Sequence, residues 1–329
     1  MNQPLLNVEG LNIFFKSDKK AQPVHALRNV SFHINQGEML GVVGESGSGK
    51  SITNLALMGL LGDNAIVSAN ECNLNGTSLL SLREKEWQKI RGKVASMIFQ
   101  DPMTALNPFL TVEFQLVETI ITHKKCTKKE AIEMAIELLS QVGITSPKER
   151  LRAYPFELSG GMAQRVMIAM AISSQPKLLI ADEPTTALDV TIQKQILQLL
   201  KELQKKNNMS VLLVTHDLGV VSEFSDRIQV MYAGELVETG STNNVIQSPQ
   251  HPYTKALLNS RPGSIERKAK TQLPSISGIV PSFHERPSGC QFNPRCEKVT
   301  KDCLFKEIPL KDGIRCIHPI AYDQVGDLQ

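Results

Sequence analysis

Residues 39–51 read Met39-Leu40-Gly41-Val42-Val43-Gly44-Glu45-Ser46-Gly47-Ser48-Gly49-Lys50-Ser51. The first five form a short, mostly apolar run of the kind a fully buried strand shows. Glycines then recur at positions 44, 47 and 49, and a helical pattern expected to reach Leu61 begins at Lys50. Strand, glycine-rich loop and helix in that order match G-x-x-x-x-G-K-S. The glycines let backbone N–H groups turn inward around phosphate oxygens, and the positive end of the helix faces the same anion. Lys50 is placed to reach the β- and γ-phosphates of a nucleotide, and Ser51 to ligate Mg²⁺. The residues expected to hold the nucleotide are therefore Gly44, Glu45, Ser46, Gly47, Ser48, Gly49, Lys50, Ser51 and Ile52.

On either side of this segment the texture is that of an α/β protein. Residues 5–15 and 24–34 carry the β-branched and aromatic content of strands. Val94 to Phe99 reads as a further buried strand. Between residues 101 and 173 the texture turns helical: Ile132, Ala135, Ile136, Leu139 and Val142 share one face of a helix over 127–142, and a second helix is expected over 160–173. Strand character returns at 177–182 and 211–214, separated by a helix over 190–206, and strands at 228–232 and 235–239 follow. This alternation predicts a mostly parallel sheet covered by helices.

Composition excludes several classes. The net charge of the 329-residue chain is +3, too balanced for nucleic-acid binding by bulk electrostatics. Trp87 is its one tryptophan, so no stacking platform for single strands is evident. No apolar run approaches the roughly 20 residues a membrane-spanning helix needs. The N-terminal stretch MNQPLLNVEG has no basic region followed by an apolar core, so no secretory signal is read there.

Four further segments bear on chemistry. Asp182 ends an apolar run, where a carboxylate is costly unless a cation satisfies it, and Mg²⁺ is the natural partner. Glu183 is then placed to polarise water for attack on a γ-phosphate. Gln100 directly follows a strand and could touch Mg²⁺ or the attacking water. His216 follows another strand and could hydrogen-bond the γ-phosphate. Leu158-Ser159-Gly160-Gly161 lies between the loop and the carboxylate pair, and Ala187-Leu188-Asp189 follows that pair.

In this order and at these separations, the series resembles ABC ATPases over residues 4 to about 245. The resemblance implies an ABC-type P-loop ATPase domain with a mostly parallel sheet, an antiparallel β part and a helical subdomain at about 101–173. It implies a sandwich dimer in which ATP on one subunit's loop is closed by the other subunit's Ser159, Gly160 and Gly161, with Asp189 communicating across the interface. It assigns catalytic roles to Glu183, His216 and Gln100, Mg²⁺ to Ser51, Gln100 and Asp182, and stacking on adenine to Phe15, with Phe14 facing the opposite way. One departure is Met162, where glutamine is commonest. Soluble ABC proteins of translation or DNA repair usually carry two ATPase halves or a long coiled-coil insertion. One motif set and no heptad run argue against that alternative.

Beyond residue 246 proline, glycine, serine and basic residues become dense, which divides the chain into 1–245 and a small irregular extension, 246–329. The extension holds His251-Pro252-Tyr253-Thr254 and Cys290, Cys296, Cys303 and Cys316. Four thiolates suit a 4Fe-4S cluster or a structural zinc. The wide spacings speak against a zinc ribbon, while His318 leaves a Cys/His zinc site open. These segments, with 98–104 and 162–171, resemble ATPase subunits of the dipeptide, oligopeptide and nickel importer family. That resemblance favours the cluster over zinc. It also implies a second related ABC ATPase, two transmembrane permease subunits, an extracytoplasmic solute-binding protein, and a place on the cytoplasmic face of a bacterial membrane. The cargo, peptide or nickel, does not touch this subunit and is not fixed by its sequence.

Overall fold

Alternation of side chains along four neighbouring parallel strands builds two cores at once. The computed structural model describes residues 3–16, 22–186, 188–260 and 276–320. Its larger sheet has the order β11-β10-β3-β9-β8-β7, from β3 (Met39–Val43), β7 (Ala95–Ile98), β8 (Leu178–Asp182), β9 (Ser210–Thr215), β10 (Arg227–Tyr232) and β11 (Glu235–Ser241). All neighbours are parallel except the β10–β11 hairpin. Leu40, Val42, Leu178, Ile180, Leu212 and Val214 face one core. Their neighbours Met39, Leu179, Ala181, Val211 and Leu213 face another. A strand buried on both faces reads as a continuous apolar run, as the segments at 39–43, 178–181 and 211–214 do.

The first core lies between this sheet and a smaller antiparallel one. That sheet runs β2-β1-β5-β6, from β1 (Leu6–Phe15), β2 (Val24–Ile34), β5 (Glu71–Leu74) and β6 (Thr77–Ser78), with β4 (Ala65–Ser68) also on β1. The helix Lys50–Leu57 is enclosed between the sheets, with Leu57 in the shared core. It stops short of the expected Leu61. Gly59 turns the chain at φ +59°, where an added Cβ would lie 2.3 Å from the Trp87 ring.

The second core is covered by helices Val112–His123, Lys128–Gln141, Gly160–Ile172 and Val190–Asn207. The expected insert at 101–173 is accordingly helical. The start of Lys128–Gln141 is fixed by a capping box: Thr127 Oγ1 accepts from the Glu130 N–H and the Glu130 carboxylate accepts from the Thr127 N–H. No helix among the described residues is long and apolar enough to cross a membrane.

A third core joins the sheet to the C-terminal extension. Val43, Val230, Tyr232 and Val237 pack with Tyr253 and Phe292, and Cys290 and Cys296 lie against them. The extension also covers the edge of β11: the Arg315 N–H donates to Val237 O at 2.8 Å and the Thr239 N–H to Gly313 O at 2.8 Å. Pairing that edge removes a row of open backbone groups.

Candidate nucleotide site

The loop between β3 and the Lys50–Leu57 helix is shaped by two glycines. Gly44 lies so close to β10 that a Cβ there would fall 2.2 Å from Met231 O. Gly49 holds φ +104°, which other residues rarely adopt. Lys50 is buried, and its ammonium donates to Gly44 O at 2.6 Å and Glu45 O at 3.0 Å. Burial lowers its pKa, while the charges of Glu183, Asp182 and Glu45 oppose that shift. A desolvated cation backed by three carboxylates is held in place for an anion.

Ser51 and Asp182 meet at the end of β8, where the hydroxyl donates to Asp182 Oδ1 at 3.2 Å. Asp182 is only 5% exposed, and burial raises its pKa against the Ser51 hydrogen bond. Paired hydroxyl and carboxylate oxygens fit a small hard cation such as Mg²⁺.

The next residue gathers the remaining candidates. Glu183 Oε2 accepts from Gln100 Nε2 at 3.1 Å and Thr186 Oγ1 at 2.9 Å, with His216 Nδ1 at 3.3 Å. Its backbone holds φ +46°, an uncommon conformation for a side chain of this size. The Glu183 N–H donates to Val214 O at 2.8 Å, which keeps β8 and β9 in register to their ends. Gln100, expected at Mg²⁺ or the attacking water, directs its amide NH₂ at this carboxylate.

Ser159, Gly160 and Gly161 lie at the N-terminus of the Gly160–Ile172 helix, where Ser159 Oγ accepts from the Met162 N–H at 3.3 Å. Ser159 and Gly160 are exposed, whereas Met162 packs against the helical core. Met162 thus has a structural use that leaves Ser159 and Gly160 at the surface. Asp189 caps the Val190–Asn207 helix through the Thr191 and Ile192 N–H groups at 3.1 and 3.0 Å. Ala187 lies outside the described residues. Phe15 is half-buried beside the first core, while Phe14 stacks on His25 at 4.0 Å from the opposite side.

Two residues that the sequence did not mark for the nucleotide site reach the loop from the C-terminal extension. Arg295 forms a two-pronged ion pair with Glu45, at 2.7 and 3.1 Å. The Tyr253 hydroxyl accepts from the Glu45 N–H at 3.0 Å. Thr186 was equally silent, a threonine after Glu183-Pro184-Thr185 with nothing to distinguish it.

Cys290, Cys296, Cys303 and Cys316 line one small pocket with His251 and His318. Burial raises the pKa of Cys290 to about 12 and also raises those of Cys296 and Cys316. As placed, no group of three or more His, Cys, Asp or Glu side chains among the described residues could hold one metal ion. The donor set thus suits a cluster or zinc, but its spacing does not form a closed site.

A glycine loop after β3, a carboxylate pair at the end of β8 in the same sheet, and a Leu-Ser-Gly-Gly helix start together define an ATP-binding cassette, an ATPase. Residues 27–186 match the family model "ABC transporter", and residues 237–303 match "Oligopeptide/dipeptide transporter, C-terminal region". The chain is 52% identical to the dipeptide transport ATP-binding protein DppD of Haemophilus influenzae, over 91% of this chain and 89% of that one. It is 47% identical to the oligopeptide transport ATP-binding protein AppD of Bacillus subtilis, over 98% of each chain. The dimeric, post-hydrolysis structure of the ATP-binding cassette MJ0796 bound to ADP and Pi superposes with a TM-score of 0.65 at 29% identity, covering 72% of this chain and 98% of that one. The chain belongs to the ABC transporter ATPases that carry the oligopeptide/dipeptide transporter C-terminal region.

Proposed function

We propose that this ATPase energises the import of dipeptides or oligopeptides across a bacterial cytoplasmic membrane. The observation that carries the reading is the joint match of cassette and C-terminal region, in relatives named for dipeptide and oligopeptide transport. In this reading the chain sits on the cytoplasmic face, paired with a second related ATPase beneath two permease subunits, and a solute-binding protein delivers cargo from outside. The division of labour is a cassette over 1–245 and an extension over 246–329.

Gly44 to Ile52 hold the triphosphate, Phe15 packs on the adenine, and Ser51 and Asp182 would hold Mg²⁺, which would neutralise phosphate charge. Glu183 accepts a proton from water, and His216 and Gln100 hold that carboxylate in place. Ser159, Gly160 and Gly161 close the partner's nucleotide. We also propose that the four cysteines hold an iron–sulfur cluster, with zinc as the alternative. Their common pocket supports this, and loading would require the thiols to lose protons and draw together.

Uptake assays in cells lacking the gene test the transport reading. Loss of labelled dipeptide or oligopeptide uptake, restored by wild-type chain and not by Lys50→Ala, is expected. Unchanged peptide uptake with lost ⁶³Ni uptake would assign nickel as the cargo instead. Iron, sulfide and zinc measured on protein purified without oxygen decide the cysteine site, and stoichiometric zinc without iron would exclude the cluster.

A further inference from the structure

The phosphate loop is fastened to the C-terminal extension at Glu45. Glu45, directly after the first glycine of the loop, gives its carboxylate to Arg295 at 2.7 and 3.1 Å and its N–H to the Tyr253 hydroxyl at 3.0 Å. Both partners are fixed from behind. The Arg295 side chain is 3% exposed, and its Nε–H donates to Ser277 O at 2.8 Å. Its guanidinium lies 5.7 Å from the centre of the Tyr232 ring. Tyr232 and Tyr253, both fully buried, meet edge to face at 4.6 Å, and Phe292 packs on each of them. This is a rigid aromatic support with its polar ends aimed at one loop residue.

A carboxylate at this position is a hazard for an anion site. Left free, it would repel a triphosphate and compete for the Lys50 ammonium, which already donates to Glu45 O at 3.0 Å. A two-pronged guanidinium pair removes both effects, because it fixes direction as well as charge. We propose that Arg295 and Tyr253 are positioning residues of the nucleotide site, holding Glu45 away from the phosphates so that the loop meets ATP already shaped. The proposal rests on the reading of residues 44–51 as the ATP site. It makes the extension a working part of the cassette: Arg295 closes the short helical turn Asn293–Arg295 between Cys290 and Cys296, so the packing of that turn sets the loop.

The test is titration of the purified full chain with Mg-ATP. Wild-type binding that Lys50→Ala abolishes establishes the site, and its absence removes the premise before any variant of the extension is read. Given the site, Arg295→Gln is expected to raise the Kd about tenfold, the usual scale for losing a charge-assisted pair. Tyr253→Phe is expected to raise it by a smaller factor. Glu45→Gln removes the charge that needs restraint, so it is expected to bind no more weakly than wild type. In the Arg295→Gln/Glu45→Gln double variant it should recover most of the lost affinity. A purely structural role for Arg295 predicts no such recovery. A folded Arg295→Gln chain with wild-type Kd, or a double variant no tighter than Arg295→Gln, overturns the proposal. If Arg295→Gln does not fold, Glu45→Gln alone decides, and weaker binding than wild type overturns it.

Discussion

The Ser51 hydroxyl donates to the buried Asp182 carboxylate at 3.2 Å, joining residues 131 positions apart. Burial at 5% exposure outweighs the Ser51 and Asn54 hydrogen bonds and the Lys50 charge, and pushes the Asp182 pKa up. In the proposed reading the Ser51–Asp182 pair would hold Mg²⁺, which would offset the cost of burying the carboxylate. Asp182→Asn should therefore leave the nucleotide-free protein at least as stable as wild type while abolishing most of the thermal upshift that Mg-ATP produces. Melting curves with and without Mg-ATP check both halves. A variant that melts several degrees lower yet responds fully to Mg-ATP contradicts this reading.

Glu183 sits where three side chains converge and where its own backbone adopts φ +46°. Strain of this kind persists only when the surroundings over-determine it, and here the Val214 carbonyl and three donors do so. Glu183→Gln keeps the shape and removes the proton acceptor. Turnover in the assembled transporter should fall on the order of a hundred- to ten-thousand-fold, the range for loss of a general base, with Mg-ATP affinity retained. Near-normal hydrolysis in single-turnover measurements would take Glu183 out of this role.

The loop, the parallel strands and the carboxylate pair were legible in sequence because each is a local pattern. Met39 to Ser51 carries strand, turn and helix within thirteen consecutive positions. The strands β4 to β6 were not legible. Ala65–Ser68 and Thr77–Ser78 are short and mostly exposed, so burial leaves no period in them. Their place is set by pairing with β1 and with each other. The Glu45–Arg295 pair was out of reach for another reason. Residues 250 positions apart carry no local signal, and the loop pattern marked Glu45 only as part of the phosphate cradle. Gln100 shows the opposite case: its position at a strand end marked it for the metal or the attacking water, and its hydrogen bond to Glu183 was not legible.

Cys72 supplies a pH dependence unconnected with the site. It lies in β5, 4% exposed in the core between the two sheets, and burial, followed by the Glu71 charge, pushes its pKa from 9.0 to about 11. The folded chain thus keeps the thiol proton where the unfolded chain loses it. The unfolded state binds fewer protons as pH rises, so stability falls between pH 9 and about 11, by at most about 1.4 kcal/mol per pH unit. Tyrosines and lysines titrate in the same range, so the measurement is a difference. Cys72→Ala should be less stable than wild type at pH 8 because it leaves a cavity, and the gap should narrow by pH 11. Denaturation midpoints across that range decide, and a gap independent of pH would show that the thiol does not report its burial.

Ser159 tests whether the Gly160–Ile172 helix serves this chain's nucleotide or a partner's. Its hydroxyl caps the helix at the Met162 N–H, and it stands exposed at the helix's positive end. No described contact links it to Lys50, Asp182 or Glu183. A residue that served the chain's own loop would be expected to touch one of them, so the exposed end fits a surface waiting for a second subunit. Ser159→Asp keeps the cap, since aspartate is as good an N-cap as serine, but places a negative charge where a partner's phosphates would arrive. Mg-ATP binding to this chain alone should be unchanged, and ATP hydrolysis by the assembled complex should drop. Ser159→Arg should give the same pattern by bulk. Weakened binding in the isolated chain would instead place Ser159 in its own site and remove the basis for a composite one.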